Sequence, residues 1–83
     1  MDNRRVAEEL TRLAGYLVGQ HASLYRVRAY RRAAETLLGL DEQVEVIVAS
    51  RGRAGLEELP GIGKHISGTI ESLVRTGAPP NVN

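Results

Sequence analysis

The sequence predicts an all-α, compact single domain of four to five helices. Apolar residues recur at helical spacing in several separate stretches, and glycine and proline divide those stretches in place of long loops. No two alternating segments exist that could pair into a sheet. The chain has 83 residues, 42% of them hydrophobic. A domain of that size buries only about 60% of the surface its unfolded chain exposes. Phe and Trp are absent, so the core must be built from Leu, Val, Ile and Ala, with the three tyrosines at its rim.

Asn3 is placed to cap a first helix whose apolar stripe is Val6, Leu10, Leu13, Ala14 and Leu17. Arg5 with Glu9 and Glu8 with Arg12 have the spacing of exposed ion pairs. Gly15 disfavours the helix locally and marks a candidate close crossing. Gly19-Gln20-His21 ends it, with His21 a solvated loop residue that has no histidine partner at i+3 or i+4. A second helix is expected over 25–38, with Val27, Tyr30, Ala34 and Leu37 inward and Ala33 at a thin contact; Arg28, Arg31 and Arg32 fall mainly on the other side. Gly39 ends it and Asp41 is placed to cap a third. Residues 44–48 alternate like a strand, yet Val44, Ile47 and Val48 also form an i, i+3, i+4 set, and no second strand is available, so the stretch reads as helix. Residues 51–53 read as a loop and 55–59 as a short helix. A last helix follows over 64–75, stopped by Gly77 and Pro79-Pro80. The domain is then 1–77, and 78–83 a disordered tail or the start of a linker.

Composition narrows the chemistry. Without cysteine there is no disulfide and no thiolate metal site, which suits a reducing compartment. No apolar run reaches the ~18 residues of a membrane span, and Asp2, Arg4 and Arg5 lead into no signal-peptide core. Net charge is only +1, but Arg26, Arg28, Arg31 and Arg32 follow one another with no acid until Glu35. One basic face on a nearly neutral chain fits local phosphate contact. Such a run on its own reads more readily as a solvated surface.

The stretch that decides between them is Leu59-Pro60-Gly61-Ile62-Gly63-Lys64-His65-Ile66. Pro60 fixes its own φ and drives Leu59 out of helical geometry, so the preceding helix must stop. Gly61 and Gly63 permit positive φ or close approach of another backbone. A new helix then opens near Lys64 through Ile66, Ile70, Leu73 and Val74, and its first N–H groups lack carbonyl partners at the positive end of the dipole. A glycine turn, a helix N-terminus and a lysine together form an anion socket suited to phosphate.

The ordered set Leu-Pro-Gly-Ile-Gly-Lys resembles the helix-hairpin-helix motif of DNA-binding and DNA-repair proteins. With Asn3 at the first helix start, Arg26-Val27-Arg28-Ala29-Tyr30-Arg31-Arg32-Ala33-Ala34 and the closing Thr76-Gly77, residues 3–77 resemble the N-terminal, lyase-like domain of the polymerase beta-like family X DNA polymerases. The resemblance implies a four-helix domain that binds the backbone or 5′-phosphate of single-stranded, gapped or nicked DNA without reading sequence. It implies phosphate contact at Gly61, Ile62, Gly63, Lys64 and His65, and a 5′-phosphate pocket at Arg26, Tyr30 and His65. It also implies base stacking on Tyr25, phosphate contact by Arg31, and a K⁺ or Na⁺ ion on the backbone carbonyls of Glu57, Leu59 and Ile62. A monomeric, cytoplasmic, nucleoid-associated protein would follow, with no cofactor required.

One departure bears on catalysis. The family's lyase lysine falls at Thr69, and threonine cannot form an imine. Ten of the eleven basic residues are arginine, which stays charged, and Lys64 is the only lysine. The resemblance therefore implies binding without efficient lyase activity. A residual lyase using Lys64 and a protein-interaction module remain as alternative readings.

Overall fold

The computed structural model describes residues 1–80 as four helices, α1 (Asn3–Gly19), α2 (Leu24–Leu38), α3 (Val44–Glu57) and α4 (Lys64–Thr76), with no strand among the described residues. The all-α expectation holds. α1 packs chiefly on α2 and α3 on α4. One core joins the two pairs: Val6, Leu10 and Ala14 from α1; Val27, Tyr30, Ala33, Ala34 and Leu37 from α2; Val44, Ile47, Val48 and Leu56 from α3; and Ile66, Ile70 and Leu73 from α4. Residues 44–48 are helical because Val44, Ile47 and Val48 bury one face of α3 while Glu45 and Val46 stay in solvent.

Several local expectations are corrected. Asp2, not Asn3, caps α1, accepting from the Arg5 N–H at 2.8 Å. Asn3 is buried and works across the molecule. Its Oδ1 accepts from the Val44 N–H at 2.7 Å and its Nδ2 donates to the Glu42 carbonyl at 2.8 Å. In return the Asn3 N–H donates to Gln43 Oε1 at 3.1 Å. Gln43, rather than Asp41, is therefore the residue at the start of α3, and helices forty residues apart cap each other. The Met1 ammonium adds an ion pair to Glu45 in the same first turn.

On α1 the ion pairs are Arg4 with Glu8 and Arg12 with Glu9, not those that i, i+4 counting from Arg5 and Glu8 suggested. Nothing approaches within 4 Å of a Cβ built on Gly15, so no helix crosses there. The loop expected at 51–53 shrinks to a one-residue break inside α3, at Gly52 with φ 61° and ψ −153°, and the short helix expected over 55–59 is the second limb of α3. α4 ends as expected on Gly77 in the left-handed region. Ala78 is held by the Ser72 hydroxyl, which donates to its carbonyl at 2.8 Å, so the chain is anchored past the expected tail boundary. The rest of that tail, 81–83, lies outside the described residues.

Asn3→Ala should lower unfolding free energy by about 2 kcal/mol, because it strands a buried N–H and a carbonyl at once. Asp2→Ala, losing one exposed cap, should cost only about 1 kcal/mol. Urea denaturation of the two variants checks the order.

Candidate functional site

The turn between α3 and α4 is built by residues 59–62. Ile62 N–H donates to the Leu59 carbonyl at 3.1 Å, with Pro60 second and Gly61 third in the turn. Gly61 has φ +77°, the left-handed value that a type II turn demands at its third position. The turn is pinned from both sides. Ile62 is buried in the core, and the Thr36 hydroxyl of α2 donates to the Pro60 carbonyl at 2.9 Å. Arg32, placed by its spacing mainly on the outer side of α2, lies across the turn: a Cβ on Gly61 would come within 2.8 Å of its Nε.

Gly63 differs. Its φ of −96° and ψ of −169° are extended backbone open to any residue, and nothing lies within 4 Å of a Cβ placed there. No feature of the fold requires glycine at this position. Immediately after it, the N–H groups of Lys64, His65 and Ile66 find no carbonyl; the first helical bond of α4 is Ser67 N–H to the Gly63 carbonyl. The other helix starts are capped by side chains, α1 by Asp2, α2 by Ser23 and α3 by Asn3. The start of α4 has no side-chain cap. Unpaired amides, the positive dipole end and an uncovered approach coincide at one place.

The first turn of α4 meets α2 through a polar chain. Tyr30 is almost fully buried, and its hydroxyl lies 3.0 Å from His65 Nε2 and 3.4 Å from Thr69 Oγ1. The two rings meet edge to face. Arg26 Nη2 lies 3.3 Å from the same His65 nitrogen. A guanidinium only donates, so Nε2 is the acceptor and the ring proton sits on Nδ1. Thr69, also buried, donates to the His65 carbonyl at 3.3 Å. The structure thus brings Arg26, Tyr30, His65 and Thr69 together, the pairs Arg26 with His65 and Tyr30 with Thr69 each lying 39 residues apart in the chain.

Two concavities adjoin this chain. A recess of about 310 Å³ is lined by Tyr25, Arg26, Ala29, Tyr30 and the hairpin residues Gly61, Gly63, Lys64 and His65. Tyr25 is 82% exposed there, so a ring face is free for stacking. A groove of about 1150 Å³ is lined chiefly from α1 and α4, by Arg26, Tyr30, Lys64, His65 and Thr69 together with Leu13, Tyr16, Leu17, Pro79 and Pro80. Arg31 is exposed but lines neither concavity, and Ile62 can offer only backbone because its side chain is in the core.

Two bracing residues escaped the sequence reading. Ser67 is fully buried, with its Oγ 3.0 Å from Glu57 Oε2 and 2.9 Å from the Lys64 carbonyl. Arg53, taken for a loop residue, donates from Nη2 to that same carbonyl at 2.8 Å. A small polar residue at an otherwise apolar position of α4 was the available signal for Ser67; Arg53 gave none.

Residues 1–79 match the family model described as "Helix-hairpin-helix domain". No curated protein and no solved structure matches the chain.

Tyr30→Phe should leave helical content unchanged and lower stability by about 1 kcal/mol, the usual net worth of a buried hydrogen bond. Circular dichroism with chemical denaturation provides the check.

Proposed function

The chain belongs to the helix-hairpin-helix domain family, and from that premise we propose that it grips the DNA backbone without reading base sequence. The observation that carries the proposal is Gly63. Its conformation suits any residue and its Cβ direction is empty, so the side chain it lacks leaves room for something outside the fold. The open amides of Lys64, His65 and Ile66 make a phosphate oxygen the fitting occupant. Arg26 and Lys64 add charge beside them, and Tyr25 offers a stacking face for an unpaired base.

The finer reading follows the likeness to the N-terminal domain of family X polymerases. On that reading the substrate is a 5′-phosphorylated end in single-stranded, gapped or nicked DNA met during repair, in the cytoplasm at the nucleoid, and the protein acts as a monomer. The hairpin also fits the monovalent cation of that family. Among the described residues no N–H donates to the carbonyls of Glu57 or Ile62, and that of Leu59 receives only the Ile62 N–H. These are oxygens suited to K⁺ or Na⁺, whose charge would favour a nearby phosphate.

The polar chain binds rather than reacts. Thr69, at the place of the family's amine, offers a hydroxyl already donated to the His65 carbonyl. Arg26 cannot lose its proton and so cannot form an imine. The competing lyase reading has one observation in its favour: Lys64 lines both concavities.

Gly63→Val should weaken DNA binding at least about tenfold with helical content unchanged, since the backbone there is unstrained and only the approach of the phosphate is blocked. With about three to five phosphates contacted, log K against log[salt] for a single strand should slope by roughly −2 to −4, at ~0.7 per phosphate. Fluorescence anisotropy titrations read both. A folded Gly63→Val variant with wild-type affinity would overturn the proposal.

Borohydride trapping on a 5′-deoxyribose-phosphate end should give little adduct with the wild-type protein and clearly more with Thr69→Lys, which supplies an amine beside Tyr30. Robust wild-type trapping that vanishes in Lys64→Ala would establish the lyase reading instead.

A further inference from the structure

His65 stands at the node of the polar chain, and histidine is the side chain whose charge ordinarily changes between about pH 5 and 8. Two donors converge on its Nε2, the Tyr30 hydroxyl at 3.0 Å and Arg26 Nη2 at 3.3 Å. They respond differently when a proton arrives at that nitrogen. In the imidazolium both ring nitrogens donate. Tyr30 reverses without moving: its oxygen accepts from Nε2, and its own proton turns to Thr69 Oγ1 at 3.4 Å. Thr69 accepts there because its proton already goes to the His65 carbonyl at 3.3 Å. Both buried hydroxyls keep a partner. A guanidinium has no lone pair to offer, so Arg26 alone loses its bond and meets a like charge.

Nothing beside the ring offsets that new charge. Among the described residues no carboxylate lies within 4 Å of its nitrogens. From α2 it faces Arg26 and Tyr30, and on its own helix Lys64 precedes it in the chain. From the α3 side comes Arg53, whose Nη2 donates to the Lys64 carbonyl at 2.8 Å and would lie 3.1 Å from a Cβ on Gly68. α1 adds Arg12 to the groove, already held by Glu9 at 2.6 Å. The one acid among the groove's described lining residues, Glu71, is taken by Arg75 at 3.5 Å. Arg26 is exposed and lines both concavities, so on release it has the groove and the hairpin recess before it.

We propose that His65 is a positioning residue for Arg26: the neutral ring holds the guanidinium, and the protonated ring releases it to the DNA backbone. The inference rests on the DNA-backbone reading and adds to it a control by pH, which an internal phosphodiester does not bring because it keeps one charge throughout this range. A phosphate is opposite in sign to the imidazolium, to the released guanidinium and to the positive start of α4. Proton uptake and strand binding therefore strengthen each other, as linked equilibria must. Affinity rises as pH falls through the histidine range and declines as pH rises through it.

The free protein gives the first test. Nitrogen NMR at about pH 8 should place the His65 ring proton on Nδ1, and a proton on Nε2 would overturn the inference. Binding is then read by fluorescence anisotropy with an oligothymidylate that has hydroxyls at both ends and a dye insensitive to pH. Wild type should bind about fivefold more tightly at about pH 5.5 than at about pH 8, the scale of one exposed charge contact. Its salt slope should steepen by about 0.7 over the same interval. His65→Gln, which does not titrate, should lose the step, and His21→Gln should keep it. Arg26→Ala separates positioning from direct contact: with no guanidinium to release, the step should fall to about twofold or less. A step that persists in His65→Gln, or stays full in Arg26→Ala, would overturn the inference. Wild-type affinity indifferent to pH would overturn it while leaving the backbone reading intact, whereas no binding at either pH would overturn both.

Discussion

The contact on which the site depends is the Tyr30 hydroxyl meeting His65 and Thr69 on α4. It is a buried polar group that needs a partner, and the packing of α2 against the first turns of α4 supplies one. That placement sets Arg26 against the His65 ring and brings Tyr25 to the rim of the hairpin recess. The Thr36 hydroxyl, two turns further along α2, fixes the same relation at Pro60. A single helix therefore positions both the turn and the side chains beside it.

The treatment of helix ends tells the same story from the opposite direction. α1 and α3 cap each other through Asn3 and Gln43, and α2 is closed by Ser23. These bonds remove amides that would otherwise cost free energy in a small core. α4 keeps its first amides open at the surface, next to a glycine with no internal reason to be one. A domain of this size has little stability to forgo, and an end left uncapped where three others are capped fits the phosphate contact proposed above.

On the proposed reading the site holds a phosphate and does not react with it. Arginine supplies nearly all the positive charge, and its planar, permanently charged fork suits phosphate oxygens while excluding amine chemistry. The hydroxyls of Tyr30 and Thr69 and the His65 ring are tied to one another, which makes them a rigid wall for a bound group.

The sequence by itself determined the all-α class, the helical stretches and the hairpin, because these rest on local rules: apolar spacing, the fixed φ of Pro60, and the left-handed Gly61 and Gly77; that 44–57 is one broken helix and not two was left to the structure. It also made Tyr30, His65 and Thr69 legible as a set, though only through likeness to a family, since nothing in spacing joins positions 30 and 69. Tertiary structure decided which groups satisfy which. Asn3 looks like a local cap and instead caps α3, because Asp2 already serves α1 and the packing brings residue 44 within reach. Gly61 and Gly63 look equivalent in the chain, yet one is required by the turn and the other by nothing inside the molecule. Arg53 looked like part of a loop, until the break at Gly52 and the bare flank of Gly68 laid its guanidinium against α4. A hydrogen bond between distant residues leaves no periodicity behind, and for that reason the caps, the braces and the charge balance of the groove had to wait for the fold.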